Sequence, residues 1–138
     1  MDELRTGSKL SHFLWYWAPP LGYCLIIFVL SSLSRPVSIP SFYGGDKVVH
    51  IIEYAVLAVL LARGILLAER RSSKRAGIFL TVVLVTLYGI SDEIHQAFVS
   101  NRYASLWDVL ADGVGGAVGA LFYTHLLVRK TQREGEGT

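Results

Sequence analysis

Cysteine is nearly absent from this chain. Cys24 stands alone, so an internal disulfide and a paired-cysteine zinc pattern are both excluded. Charge is scarce as well, at 17% of 138 residues, against about 25% in soluble domains. No run of five or six like charges occurs and the formal net charge is only +2, so no nucleic-acid partner is expected. Gly-rich phosphate loops and nucleophile elbows are missing, as are internal repeats and low-complexity stretches. Also missing are the polar faces that soluble helices carry along their apolar runs. With 52% hydrophobic residues and a mean hydropathy of +0.44, the composition implies one integral membrane domain over residues 1–138.

Four apolar runs can each cross a hydrocarbon core of about 30 Å, which takes roughly 20 residues. They cover about 12–33, 47–67, 76–98 and 106–128 and predict an all-α four-helix membrane bundle. The first is too long for a signal-peptide core and lacks a small-residue cleavage site, so it is expected to stay as a span. Trp15, Tyr16 and Trp17 form its interfacial belt, and Pro19-Pro20 predict a kink or a late helix start. Basic residues set the orientation. Arg5, Lys9, Arg63, Arg70, Arg71, Lys74, Arg75, Arg129, Lys130 and Arg133 fall on one side; Arg35, Lys47 and Arg102 fall on the other. The positive-inside rule then makes both termini and the middle turn cytoplasmic. The loops 34–46 and 99–105 face outside, the first with Pro36, Pro40 and Gly44-Gly45.

This orientation brings the unusual polar residues to the outer ends of three spans. Asp46, Lys47, His50, Glu53 and Tyr54 open the second span, and Ser91, Asp92, Glu93, His95 and Gln96 close the third. Asp108 and Asp112 open the fourth. At 1.5 Å per residue, His50, Asp92 and Asp108 lie roughly 5 Å below the outer boundary, with Glu53 and Asp112 about 10–12 Å deep. Ionisable groups at such depth point to function. Asp92 and His95, three residues apart, suit an oriented general base or a pair of metal ligands. Asp46 and Lys47 equally suit an interfacial helix end, and His12 and His125 read as interfacial. Gly115 and Gly119 form a Gly-x-x-x-Gly packing face, which turns the two aspartates into the bundle and offers a route to a homo-oligomer.

Three segments resemble one family. Asp46-Lys47-Val48-Val49-His50 with Tyr54 is similar to the D-K-x-x-H-x-x-x-Y segment of VanZ-like membrane proteins. Ser91-Asp92-Glu93-Ile94-His95-Gln96-Ala97-Phe98 with Arg102 resembles that family's S-D-E-x-H-Q-x-F…R signature, and Asp108 to Gly119 resembles its third block. Asp112 stands where the family often has asparagine, and Ser100-Asn101 replace a usual Pro-Gly. The resemblance implies a multi-pass protein of the bacterial inner (cytoplasmic) membrane, related to one linked with teicoplanin (glycopeptide) resistance.

The expected function is action on an envelope lipid or lipid-linked cell-wall precursor at the outer leaflet, by phosphate-ester hydrolysis or transfer. Candidate catalytic residues are Asp92, His95, Glu93 and His50, with His95 as acid/base oriented by Asp92. Lys47, Arg102, Tyr54, Ser91 and Gln96 are candidates for substrate binding. Asp46, Glu53, Asp108 and Asp112 are candidate ligands for a divalent metal ion, the only cofactor suggested. Two other readings stay open: a proton- or ion-coupled carrier or flippase of an amphiphile, and a non-catalytic envelope binding protein.

Overall fold

The structure, a computed structural model, describes residues 2–34, 45–68 and 73–136. The expected loop residues Arg35, Pro36, Pro40 and Gly44, and Arg70 and Arg71 of the basic turn, lie outside these. Helix α1 spans Asp2–Ser31 and α2 spans Gly45–Arg63. A π-helical turn, Gly64–Ala68, continues from α2. Helix α3 spans Lys74–Gln96 and α4 spans Leu106–Glu136. The described residues contain no strand. Within these helices Ser11–Ser31, Gly45–Leu67, Lys74–Gln96 and Leu106–Arg133 are long and apolar enough to cross a membrane.

Helix α1 begins well before the prolines and runs through them. Pro19 lacks the N–H that would bond the carbonyl of Trp15, and Pro20 likewise frees Tyr16. A neighbour compensates. Arg63 Nη1 donates to Trp15 O at 3.1 Å, and its guanidinium lies over the rings of Trp15 and Tyr16. Gly64 lies at the same junction, where a Cβ would meet Tyr16 O and the Trp17 ring in ordinary van der Waals contact. The diproline therefore builds a docking point for the end of α2, as membrane helices permit when a partner satisfies the freed groups.

Small residues decide the rest of the packing, since lipid supplies no hydrophobic drive between helices. On α4, Gly115 and Gly119 lie directly against the α2 backbone at Ile51 and Ala55, and Ala58 also meets Gly119. The contacts advance together along both chains, so α2 and α4 run parallel with an offset near 62 residues. Gly116 packs on Val85 and Gly89 on Asp112, which sets α3 antiparallel to α4. Tyr54, Leu57, Ala58 and Val85 are fully buried at the centre, with Ile27 of α1 beside them. Large apolar side chains such as Leu25, Ile52, Phe79, Leu87, Leu121 and Phe122 face outward, the pattern expected of a lipid-facing surface.

The packing face expected at Gly115 and Gly119 meets α2 of the same chain. One expectation changes here. Asp112 is level with His50 instead of with Glu53, because α2 starts at Gly45 and sits half a turn further along than counting from Lys47 implies.

Candidate functional site

The polar ends of α2, α3 and α4 meet, and their side chains divide between two adjoining spaces. The larger, of about 580 Å³, lies between α1, α2 and α3. His50, Glu53, Asp92, Gln96 and Arg102 line its polar part, and Ile27, Leu30, Leu33 and Val49 its apolar wall. Nothing in the polar pattern of α1 announced that contribution, because apolar residues at its end read equally well as lipid-facing. The smaller space, of about 260 Å³, is lined by Asp46, Lys47, Asp108 and Ser105, with Gln96 and Arg102 shared between the two.

The α2–α4 contact holds one ion-pair ladder. Lys47 Nζ lies 2.7 Å from Asp108 Oδ1 and 3.1 Å from Asp46 Oδ2. One turn deeper, His50 Nδ1 lies 2.8 Å from Asp112 Oδ1, with both side chains buried. A carboxylate only accepts, so this pairing places a proton on Nδ1 and leaves Nε2 of the neutral ring with its lone pair. Tyr54 stacks parallel to His50 at 6.2 Å and is fully buried. Among the described residues, four buried oxygens have no hydrogen-bond partner: Tyr54 Oη, Asp92 Oδ1, Glu93 Oε1 and Asp112 Oδ2. Such groups are unfavourable in a low-dielectric interior unless something binds them.

On α3 the expected pairing of Asp92 with His95 is replaced by two others. Asp92 Oδ2 accepts from Gln96 Nε2 at 2.7 Å, one helical turn on. His95 faces α1, where its Nε2 lies 2.9 Å from Ser32 Oγ and its ring 4.4 Å from that of Phe28. Ser32 gives its one hydroxyl proton to Phe28 O at 2.6 Å, so His95 Nε2 is the donor. His95 lines neither space, and Ser91 is exposed and bonds Tyr88 O of its own helix. The spacing of three allowed the Asp92–His95 contact, but the rotation of α3 turns the two side chains to different neighbours.

Glu93 has a structural partner that the sequence did not signal. Its Oε2 accepts the N–H of Ser105 at 2.7 Å, just ahead of the first turn of α4, where unpaired donors favour an anion. Arg102 closes the C-terminal end of α1: Nη2 donates to Leu30 O at 2.9 Å, Nε to Leu33 O at 3.2 Å, and Nη1 donates to Gln96 Oε1 at 3.3 Å. Asn101, with φ of 62°, makes the left-handed turn that brings Arg102 back over the bundle. One ligand atom each from His50, Glu93 and Asp108 lie within 4.8 Å of one another, and all three residues are buried. Asp108 is a candidate metal ligand from the sequence, and His50 and Glu93, candidates there for catalysis, also suit metal ligation by type.

Four membrane-length helices around buried carboxylates and an imidazole define a multi-pass helical membrane protein with a polar interior. The chain belongs to the VanZ/LLP1 family, whose model matches residues 7–129. No significant match to a curated protein or to a solved structure was found.

Proposed function

We propose that this protein sits in the bacterial inner membrane with both termini cytoplasmic, and that its cavity takes an anionic envelope amphiphile from the outer leaflet. The observation that carries this reading is the two-sided lining of the larger space. Apolar residues of α1 suit acyl or polyprenyl chains, while Arg102, Gln96, Asp92, Glu53 and His50 suit a charged headgroup. Arg102 is permanently cationic, so with its nitrogens held on Leu30, Leu33 and Gln96 it still places a fixed positive charge beside the headgroup position. A small apolar ligand or a neutral lipid would leave this polar end without a purpose.

The reaction proposed is hydrolysis or transfer at a phosphate ester of the bound headgroup. Asp92 supplies the proton acceptor, since its Oδ1 is buried and has no partner while Gln96 holds Oδ2. This reassigns the acid/base role from His95 to a side chain that lines the cavity. The test is thermal unfolding of the purified protein with phosphatidylglycerol, a polyprenyl phosphate or phosphatidylcholine, together with release of inorganic phosphate and the free alcohol from the polyprenyl phosphate, the products of water attack on its ester. The anionic lipids should raise Tm by several degrees through preferential binding. Asp92→Asn should keep that shift and lower turnover by about 100-fold or more. A Tm shift without any chemical change in the lipid would favour a carrier or a binder, and no preference for anionic lipid would overturn the reading.

A further inference from the structure

We infer that His50, Glu93 and Asp108 form a binding site for one transition-metal dication. Each comes from a different helix, and one ligand atom from each lies within 4.8 Å of the others, so one ion can bridge all three. The donors around the trio are arranged for that purpose. Asp112 holds His50 Nδ1 at 2.8 Å, the carboxylate–imidazole pairing that orients a metal-bound histidine and raises its basicity. The other ring nitrogen is then the ligand. Glu93 is 4% exposed and uses Oε2 on Ser105, leaving Oε1 buried with no partner. An unpartnered carboxylate oxygen this deep is a second sign, independent of the clustering, that a cation belongs there.

Charge points the same way. Glu93, Asp108 and Asp112 bring three carboxylates to one buried spot, and among the described residues Lys47 on Asp108 Oδ1 is the ammonium bonded there. A dication supplies what is lacking. One imidazole with carboxylates fits zinc or manganese better than magnesium or calcium, which favour all-oxygen sets and retained water. His50 also lines the larger cavity and Asp108 the smaller, so the ion would lie between them, beside the proposed headgroup position. The site is read on the protein alone and stands whether or not a lipid is turned over.

The experiment uses the full-length protein in detergent, stripped of metal and dialysed against Zn²⁺, Mn²⁺ or Mg²⁺. Zinc and manganese should bind at one ion per chain, with magnesium at least 10-fold weaker. Glu93→Gln and Asp108→Asn should each weaken zinc binding by about 100-fold, and Asp112→Asn by about 10- to 100-fold. Lys47→Gln should strengthen it, because the ammonium competes for Asp108 Oδ1. His125→Ala, an exposed imidazole toward the far end of α4, should leave it unchanged. Circular dichroism of each metal-free variant checks that it folds. Should a variant misfold, electron spin-echo modulation of Mn²⁺ on the unaltered protein decides the matter, with one directly bound imidazole nitrogen expected. Sub-stoichiometric binding, affinity indifferent to Glu93→Gln and Asp108→Asn, or no nitrogen coupling would overturn the site. Lipid-induced Tm shifts, measured without metal, report separately on the proposed substrate.

Discussion

At the scale of single residues, the identity of each polar side chain matters less than the atom it uses. Asp112 illustrates this. Its Oδ1 serves His50 while Oδ2 lies beside Gly89, where a Cβ would come within 2.5 Å. Asparagine, frequent at this position in VanZ-like proteins, can still accept from Nδ1–H through its carbonyl, so Asp112→Asn should leave metal-free stability within about 1 kcal/mol. Asp112→Ala leaves His50 unpaired and should lower it by about 1–3 kcal/mol, both read by thermal or denaturant unfolding in detergent. Gly89→Ala must push Asp112 away and should be destabilising by about 1–3 kcal/mol for the same reason that overpacked cores are. Of the polar residues evident in the sequence, His50, Asp92, Glu93, Gln96, Asp108 and Asp112 are all buried. Periodicity predicted this inward face for most of them. It could not reveal that His95 turns to Ser32, because a side chain at the edge of a face is claimed by whichever neighbour stands nearest.

At the scale of helices, two kinds of joint hold the bundle. The α2–α4 joint is made by glycine, and Gly119→Ala would drive a methyl group into the Ala55 carbonyl and the Ala58 side chain. A loss of about 1–3 kcal/mol or more is expected, measured as a lower unfolding midpoint in detergent. Gly22 is the control. Nothing stands within 4 Å of a Cβ there, so Gly22→Ala should be neutral or stabilising by up to about 1 kcal/mol through helix propensity. The α1 joint is polar instead. Arg102 holds the Leu30 and Leu33 carbonyls, Tyr88 Oη donates to Cys24 O at 2.6 Å, and Arg63 holds Trp15 O. Helix α1 exposes most of its apolar side chains and meets the central cluster through buried Ile27 and the partly buried Tyr23 and Cys24. Arg102→Ala should therefore speed amide exchange at residues 28–33 more than anywhere in α2 or α4, as seen by hydrogen exchange with mass spectrometry. If exchange rose uniformly, Arg102 would not be a specific latch on α1.

At the scale of the whole molecule, the proposed orientation and the polar interior can be checked together. In a Cys24→Ser background, Tyr103→Cys should react with a membrane-impermeant thiol reagent added to intact cells, whereas Ser73→Cys should react only after lysis. Tyr103 is 88% exposed and Ser73 begins α3 at the opposite end, so both positions are accessible from their own side. The reverse labelling pattern would place the cavity on the cytoplasmic face. By itself the sequence determined the class of molecule: four apolar runs demand four spans, because a backbone in hydrocarbon must satisfy its own hydrogen bonds. It also determined which residues are costly to bury and at which ends of the spans they lie. Only the tertiary structure decided their partners. Whether Asp112 meets His50, Glu93 meets Ser105 or α1 walls the cavity depends on helix rotation and register. Those are fixed by where glycines let backbones touch and where prolines free carbonyls, and such contacts between distant segments leave no periodic trace along the chain.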